Sequence, residues 1–388
     1  MLRSVRRAGA VAGLLALAAV TAFGGAATAA PAKLKSPSQA MAAVAKGGSG
    51  GSGELRVVAE GLNNPRGIGI GPDGALYVAE SGKGGAGPCI AGPEGDQACF
   101  GRSGSVTRIT RHSQQRVLTG LPSTAAPDGT AAAGPVDLGF SGWTGYLLIG
   151  NPGGGAATRK ALGPGAGRFG KLLKVDLHGI RSVADFPRFE DANNPDGGDP
   201  AEGGVDSNPN GLLVRHGARY VTDAGGNDLL KVDHKGRISV VAVFPPRPVG
   251  DIPMQAVPTS VVKGPDGAFY VGQLTGFPFP VGGANVWRVV PGHDPEVFKG
   301  GFTNIIDIAF DRRGRLYVLE IATGGLLNAP ADELPVGRLV RVNRDGSTTT
   351  LASEGLNAPG GFVLGHHTAY TTNNSILPGA GQVVKVAI

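Results

Sequence analysis

The sequence predicts an all-β chain assembled from six copies of one four-stranded unit, and three observations carry that prediction. Gly supplies 67 and Pro 29 of the 388 residues, against an average Gly usage of about 7%. Such dense punctuation disfavours long helices and favours short strands joined by tight turns. A hydrophobic share of 41% supplies a genuine core. The decisive observation is a seven-residue segment ending in a polar side chain. It runs from Gly74 to Glu80 (GALYVAE), Gly145 to Asn151 (GYLLIGN), Gly217 to Asp223 (GARYVTD), Gly267 to Gln273 (GAFYVGQ), Gly314 to Glu320 (GRLYVLE) and His367 to Asn373 (HTAYTTN). In this alignment one column reads Tyr77, Leu148, Tyr220, Tyr270, Tyr317 and Tyr370, so five of the six tyrosines share a register.

Along the chain, residues 1–30 read as a secretory signal. Arg3, Arg6 and Arg7 precede the apolar run Ala8–Phe23, and Ala27-Thr28-Ala29 offers small residues for cleavage. The run is short for a membrane span, and no later run is longer, so a secreted protein with no membrane span is expected. Residues 31–53 end in a Gly/Ser tract and read as a flexible linker. The folded domain is expected over residues 54–388.

Within that domain the strand of the repeated segment is the second of each unit. A first strand is entered at Pro65, Pro135, Pro209, Pro258, Ile305 and Pro359. The third strands are GSVTRIT, GKLLKVD, NDLLKVD, ANVWRVV, GRLVRVN and GQVVKVA, and each carries a basic residue: Arg108, Lys174, Lys231, Arg288, Arg341 and Lys385. On an outer strand these long side chains cover neighbouring apolar surface while their charges reach solvent or a carboxylate. Fourth strands follow in five units only. The missing one stands at the other end of the chain, where Leu55–Leu62 (LRVVAEGL) matches Thr348–Leu356 (TTTLASEGL). Six four-stranded units in radial array make a six-bladed β-propeller, closed by the N-terminal strand pairing into the last blade.

Charge removes one class of partner. Six of the 36 basic residues precede Glu54 in a stretch without acids, and the rest equal the 30 acidic residues in number. The folded part is formally neutral, so no nucleic-acid partner is expected. Cys89 and Cys99 in an exported chain point to a structural disulfide within a Gly-rich segment.

The polar column (Glu80, Asn151, Asp223, Gln273, Glu320, Asn373) is expected to ring the channel on the face where second strands end. Two axial acids, Asp137 and Asp307, would join it. Such oxygen-bearing side chains suit a hard cation or a hydroxyl-rich ligand; alternatively they cap backbone N–H groups in the following turns. All seven histidines (His112, His178, His216, His234, His293, His366, His367) map to turns on the opposite face, which argues against a His base or a His-bound zinc at the ring. The segment Phe189–Asn210 reads as an acidic loop holding Glu190, Asp191, Asp196, Asp199, Glu202 and Asp206, able to wrap calcium or simply to be solvated.

The segments GLNNPRGIGIGPDGALYVAESG, GPCIAGPEGDQACFGRSGSVTRI and NNPDGG…VDSNPNGLL resemble the ScyD/ScyE family of exported propellers, over essentially all of residues 54–388. The resemblance implies an exported six-bladed propeller and assigns no catalytic residue. The unit is also similar to NHL repeats and to the gluconolactonase/strictosidine-synthase group. Lactonases of that group hold a divalent metal with Glu, Asn and Asp at the channel; this chain has Arg66-Gly67 where the group's first Glu falls. Quinone-dependent sugar dehydrogenases share the GLxxPxGxxxxPDG opening found at Gly61–Gly74, but their catalytic His has no counterpart on this face. The reading that follows is a monomeric, secreted binding or accessory propeller for a small polar ligand, a cation, or a protein or carbohydrate partner. The alternative is a metal-dependent lactonase or esterase-like hydrolase using a divalent cation.

Overall fold

The computed structural model describes residues 53–92, 97–197, 205–330 and 332–388. The expected signal at 1–30 and nearly all of the linker lie outside the described residues. The inner strands of the six blades are Pro65–Ile70, Pro135–Ser141, Pro209–Arg215, Pro258–Lys263, Ile305–Phe310 and Gly361–Leu364. Each touches the next in cyclic order, and the last touches the first. The chain therefore forms the closed six-bladed ring that the repeats predict.

Closure depends on the N-terminal strand. Arg56–Asn63 pairs antiparallel with Pro378–Ala387 and completes the sixth sheet. Its inward residues Ala59 and Leu62 pack with Ile68, Val78, Ile109 and Val383 between the sixth blade and the first. Similar apolar seams fill the other blade boundaries, as where Leu148 and Leu172 meet Val221 and Leu230. Burial between blades, rather than within a single sheet, supplies the hydrophobic stabilisation.

The second and third strands pair in a register that corrects the sequence alignment. Tyr77 stands opposite Arg108, Tyr220 opposite Lys231, Tyr270 opposite Arg288, Tyr317 opposite Arg341 and Tyr370 opposite Lys385. In the second blade the partner of Lys174 is Tyr146, not Leu148. All six tyrosines thus share the column. The reason lies in the hairpin turn: Ser141 pairs with Thr144, so the turn glycine is Gly142, and Gly145 already belongs to the strand. Glycine spacing fails as a ruler in this one blade. The basic column behaves as expected, with Arg108 against Asp73 at 2.7 Å, Lys174 against Asp176 at 2.9 Å and Arg288 against Asp266 at 2.8 Å.

Two further departures matter for the site. The first blade is larger than the repeat: its third and fourth strands extend over Gln97–Ile109 and Gln114–Ala125, and a short strand Cys89–Ala91 is added at the edge. Cys89 and Cys99 face each other across this pair and form the disulfide. The segment read as an acidic loop instead begins as a helix. A first helix, α1 (Ala156–Ala161), precedes it in the second blade, and α2 spans Phe186–Asn193. Asp185 caps α2 by accepting from the Arg188 N–H, Pro187 occupies its first turn, and Asn194 ends it in a left-handed conformation. Capping and terminal signals of this kind are sufficient for a two-turn helix. Asp199 and Glu202 lie outside the described residues. The seven histidines all fall in the turns between first and second or third and fourth strands, on the face opposite the second-strand ends.

Candidate functional site

The polar column is buried and hydrogen-bonded within the protein. Glu80 is 0% exposed. It accepts from the Asn63 N–H at 2.7 Å, from the Ser105 and Thr107 hydroxyls, and from Arg116 through Nε at 3.1 Å and Nη2 at 2.8 Å. Glu320 repeats the device with the Thr303 N–H at 2.8 Å and Arg338 Nε at 2.6 Å. Gln273 accepts from the Asn285 N–H and the Trp287 indole, and Asn373 from the Asn357 N–H at 2.7 Å. Asp223 takes four donors: Ser207 Oγ and the N–H groups of Asn208, Gly225 and Gly226. Gln273 is tied to its own third strand, whereas Glu80 reaches Asn63 at the end of the sixth blade's outer strand, and Asp223, Glu320 and Asn373 reach the chain that leads into their blades.

In the second blade the corrected register puts Ile149 at the column position, since Ile149 pairs with Pro135 as Glu80 pairs with Pro65. Asn151 lies two residues beyond the strand. Its Nδ2 donates to the carbonyls of Gly153, Gly154 and Ser207, while its buried Oδ1 has no hydrogen-bond partner.

The two axial acids occupy equivalent places in the second and fifth blades. Asp137 accepts from its neighbour Leu138 N–H and, across the blade boundary, from Leu212 N–H, both at 2.7 Å. Asp307 does the same with Ile308 and Phe362. Glycine at the matching place in the first blade is required by closeness: a Cβ on Gly67 would lie 2.4 Å from Asp137 Oδ1. Burial, with the charge of Asp307 added, raises the Asp137 carboxyl to about 8, and burial raises Asp307 to about 7.

Where the second strands end, the channel opens into a cavity of about 60 Å³, large enough for a few waters or the polar head of a small ligand. Among the residues lining it are Arg66, Thr124, Ala132, Asn151, Asn208 and Asn210. Arg66 is 6% exposed. Its Nη2 donates to the Ala132 carbonyl at 3.0 Å, and its backbone carbonyl accepts from Thr372 Oγ1, which fixes it between the first and sixth blades. Among the described residues no carboxylate pairs with this guanidinium, and burial lowers it to about 10. Thr124 Oγ1, Asn151 Oδ1 and Asn210 Nδ2 are buried without a hydrogen-bond partner. Asn208 is held by accepting from the Asn151 N–H at 3.1 Å.

Of the expected site residues, only Asn151 lines this cavity. Sequence reasoning noted Arg66 only as a departure and missed Thr124, Asn208 and Asn210. The Asn pair was visible in the DSNPN segment, whereas Thr124 carries no sequence signal.

An acidic cluster stands beside the cavity at the end of the third blade. Asp206 accepts from the Gly154 N–H at 2.6 Å, Asp191 from the Ala156 N–H at 3.0 Å, and Asp196 from Asn227 Nδ2 at 2.9 Å. Glu190 and Asp228 are also here, and neither has a hydrogen-bond partner on either carboxylate oxygen. Burial and the neighbouring acids, Asp223 foremost, raise Asp206 to about 7 and Glu190 to about 9, and push Asp228 well above the carboxylate range. Among the described residues no helix is long and apolar enough to cross a membrane.

No family model matches the sequence, and no curated protein matches it. Solved structures share the fold. A protein of unknown function from Bacteroides thetaiotaomicron superposes with a TM-score of 0.52 at 9% identity, covering 86% of this chain and 75% of that one. Virginiamycin B lyase from Staphylococcus aureus gives 0.44 at 12% identity over 86% and 100% of the two chains. The PQQ-bound aldose sugar dehydrogenase from Streptomyces coelicolor gives 0.45 at 12% over 88% and 99%. At these identities the likeness is one of fold.

Proposed function

We propose that this chain is an exported propeller that binds a small polar ligand bearing a carboxylate or similar anionic group in the axial cavity. One observation carries the reading: a buried guanidinium with no acidic partner lines the cavity at the mouth of the channel. A buried charge without a counter-charge is costly, and an anionic ligand supplies that counter-charge with bidentate geometry. Thr124 Oγ1 and Asn210 Nδ2 offer neighbouring hydrogen-bonding groups. Export is supported by the leader-like residues 1–30 and by the disulfide, and the resemblance to ScyD/ScyE propellers points the same way.

The lactonase alternative needs a divalent cation at the axis. The residues lining the cavity do not fit one, because Arg66 brings a positive charge to it and the axial acids Asp137 and Asp307 are engaged by backbone N–H groups. The reading is therefore of binding rather than of metal-assisted hydrolysis, with a carbohydrate acid or another hydroxy-carboxylate as the class of ligand. A panel of sugar acids and short hydroxy-carboxylates, each paired with its neutral alcohol, tests it by calorimetry and thermal melting. Carboxylates should bind and raise the melting temperature, and Arg66→Met should remove that response while the protein stays folded. Equal responses to acids and alcohols, or binding untouched by Arg66→Met, would overturn it.

A further inference from the structure

We infer that the end of the third blade carries a calcium site built on the carboxylates of Glu190 and Asp228. The inference is independent of the axial ligand. Glu190 projects from α2, and Asp228 opens the third strand of the third blade directly after the turn that follows Asp223. Glu190 is 1% and Asp228 0% exposed. No hydrogen bond reaches any of their four carboxylate oxygens. The other acids of the cluster do have donors: Asp223 has four, and Asp191, Asp196 and Asp206 each accept at least one. Two side chains thus stand apart as buried acceptors lacking anything to accept.

The surroundings are negative and hold no neutralising side chain. Among the described residues no Lys, Arg or His pairs with Glu190, Asp206, Asp223 or Asp228. Burying an unpaired carboxylate is strongly unfavourable, and buried charges are ordinarily paired or coordinate a metal. The turn is also shaped for the carboxylate. A Cβ on Gly226 would sit 3.1 Å from the Glu190 carboxyl carbon and Oε2, so glycine lets Glu190 lie against the backbone of residues 224–227. Gly226 in turn donates its N–H to Asp223, which holds the turn in place.

The donor set selects the cation. Only oxygen atoms are offered, with no His or Cys among them, which suits a hard divalent ion. Among the described residues no three acidic, imidazole or thiol groups converge at metal-binding separation. Glu190 lies near enough for its charge to act on Asp228, so these two carboxylates would form the charged part of the shell, with backbone carbonyls and water completing it. Calcium accepts six to eight oxygens in flexible geometry, whereas magnesium demands a near-ideal octahedron. With few charged ligands the affinity belongs to the extracellular class, a Kd of about 10⁻⁴–10⁻³ M. Such a site would act next to the cavity, because Asp223 is tied to Ser207 and Asn208, and Asn208 lines the cavity.

The test uses the full chain after chelator treatment, titrated with calcium chloride by calorimetry and followed by thermal melting, with magnesium chloride as control. One calcium per chain should bind, the melting temperature should rise with calcium more than with magnesium, and Asp228→Asn should weaken binding by at least about tenfold. Glu190→Gln provides a second variant should Asp228→Asn fail to fold, and Arg66→Met should leave the calcium response intact. No heat and no shift in millimolar calcium would overturn the inference. So would calcium binding that survives both carboxylate variants, or variants more stable than a calcium-indifferent parent, since protons would then be what neutralises the pair.

Discussion

Blades 1 and 2 differ from blades 4 to 6 although all repeat one sheet. The entries at Pro258, Ile305 and Pro359 follow one another closely, whereas Pro65, Pro135 and Pro209 are separated by much longer stretches. The extra chain in the first half forms the disulfide-pinned edge strand, the extended hairpin of blade 1, and helices α1 and α2. It reaches the face where second strands end. The cavity takes Ser81, Ala98, Thr124, Ala131 to Gly134 and Asn151 from those insertions or their edges, but only Ile306 and Gly360 from the fifth and sixth blades. The repeat builds the ring and gives the cavity one column of its lining (Arg66, Val136, Asn210, Ile306 and Gly360), and what exceeds the repeat supplies much of the rest. The polar column, by contrast, is shared by both halves: Glu80 and Glu320 each accept from the N–H two residues before a first strand, Asn63 and Thr303, and each pairs with an arginine, on the fourth strand in blade 1 and on the third in blade 5.

The largest expected effect breaks that shared feature. Glu80→Ala removes the acceptor for the Asn63 N–H and for two buried hydroxyls. Arg116, 41% exposed, regains solvent, so the cost falls near the lower end for broken buried pairs, about 3 kcal/mol. Asn63 ends the closing strand, so the loss should appear as lower cooperativity of ring closure as well as a lower melting temperature. Denaturant unfolding of Glu80→Ala and Glu320→Ala checks it. A column that serves ligands instead would leave both midpoints unchanged and alter only binding.

These buried carboxylates also explain what could be read from the sequence. Six-fold recurrence made the ring, the closing strand and the face assignments legible, because a repeated constraint leaves a repeated residue. The disulfide was legible from two cysteines alone. The role of the column was not, since a carboxylate satisfied by N–H donors and one open to solvent are the same letter. The cavity was hidden for a related reason. Arg66 and Thr124 come from the first blade, and Asn208 and Asn210 from the start of the third. Arg66 and Asn210 share the place one residue after the entry proline, but that place reads Arg66, Val136, Asn210, Thr259, Ile306 and Gly360 around the ring, so no common chemistry marks it. Blade 2 misled directly: Gly142 replaces the usual turn position, which shifted Asn151 into the column and Ile149 out of it.

A second perturbation separates the halves. Replacing Cys89 and Cys99 together by Ser opens a link with a sequence separation of 10, for which loop-closure entropy gives about 2.7 kcal/mol. Ala98 adjoins Cys99 and lines the cavity, so ligand affinity should fall along with stability. Unfolding midpoints and calorimetric titration of the double variant, compared with wild type, check both effects. If stability falls while affinity holds, the insertion does not shape the cavity.

The smallest effect concerns the axis that both halves share, and its sign follows from proton linkage. The native Asp137 carboxyl lies at about 8 and Asp307 at about 7, against about 4 in the unfolded chain. Between those values the native state binds more protons than the unfolded state, so stability falls as pH rises through the window and levels off above it. Glu190, Asp206 and Asp228 slope the same way, so the experiment is a comparison made in chelator. Asp137→Asn should lessen the fall of the unfolding midpoint between about pH 5 and 8. It also removes one of the two oxygens that accept from Leu138 and Leu212, which lowers the midpoint equally at every pH. Offset and slope therefore report different things: the offset measures the link between the second and third blades, and the slope measures the proton at the axis. An unchanged slope would mean that Asp137 is ionised in the native ring, its charge carried by those two N–H donors alone.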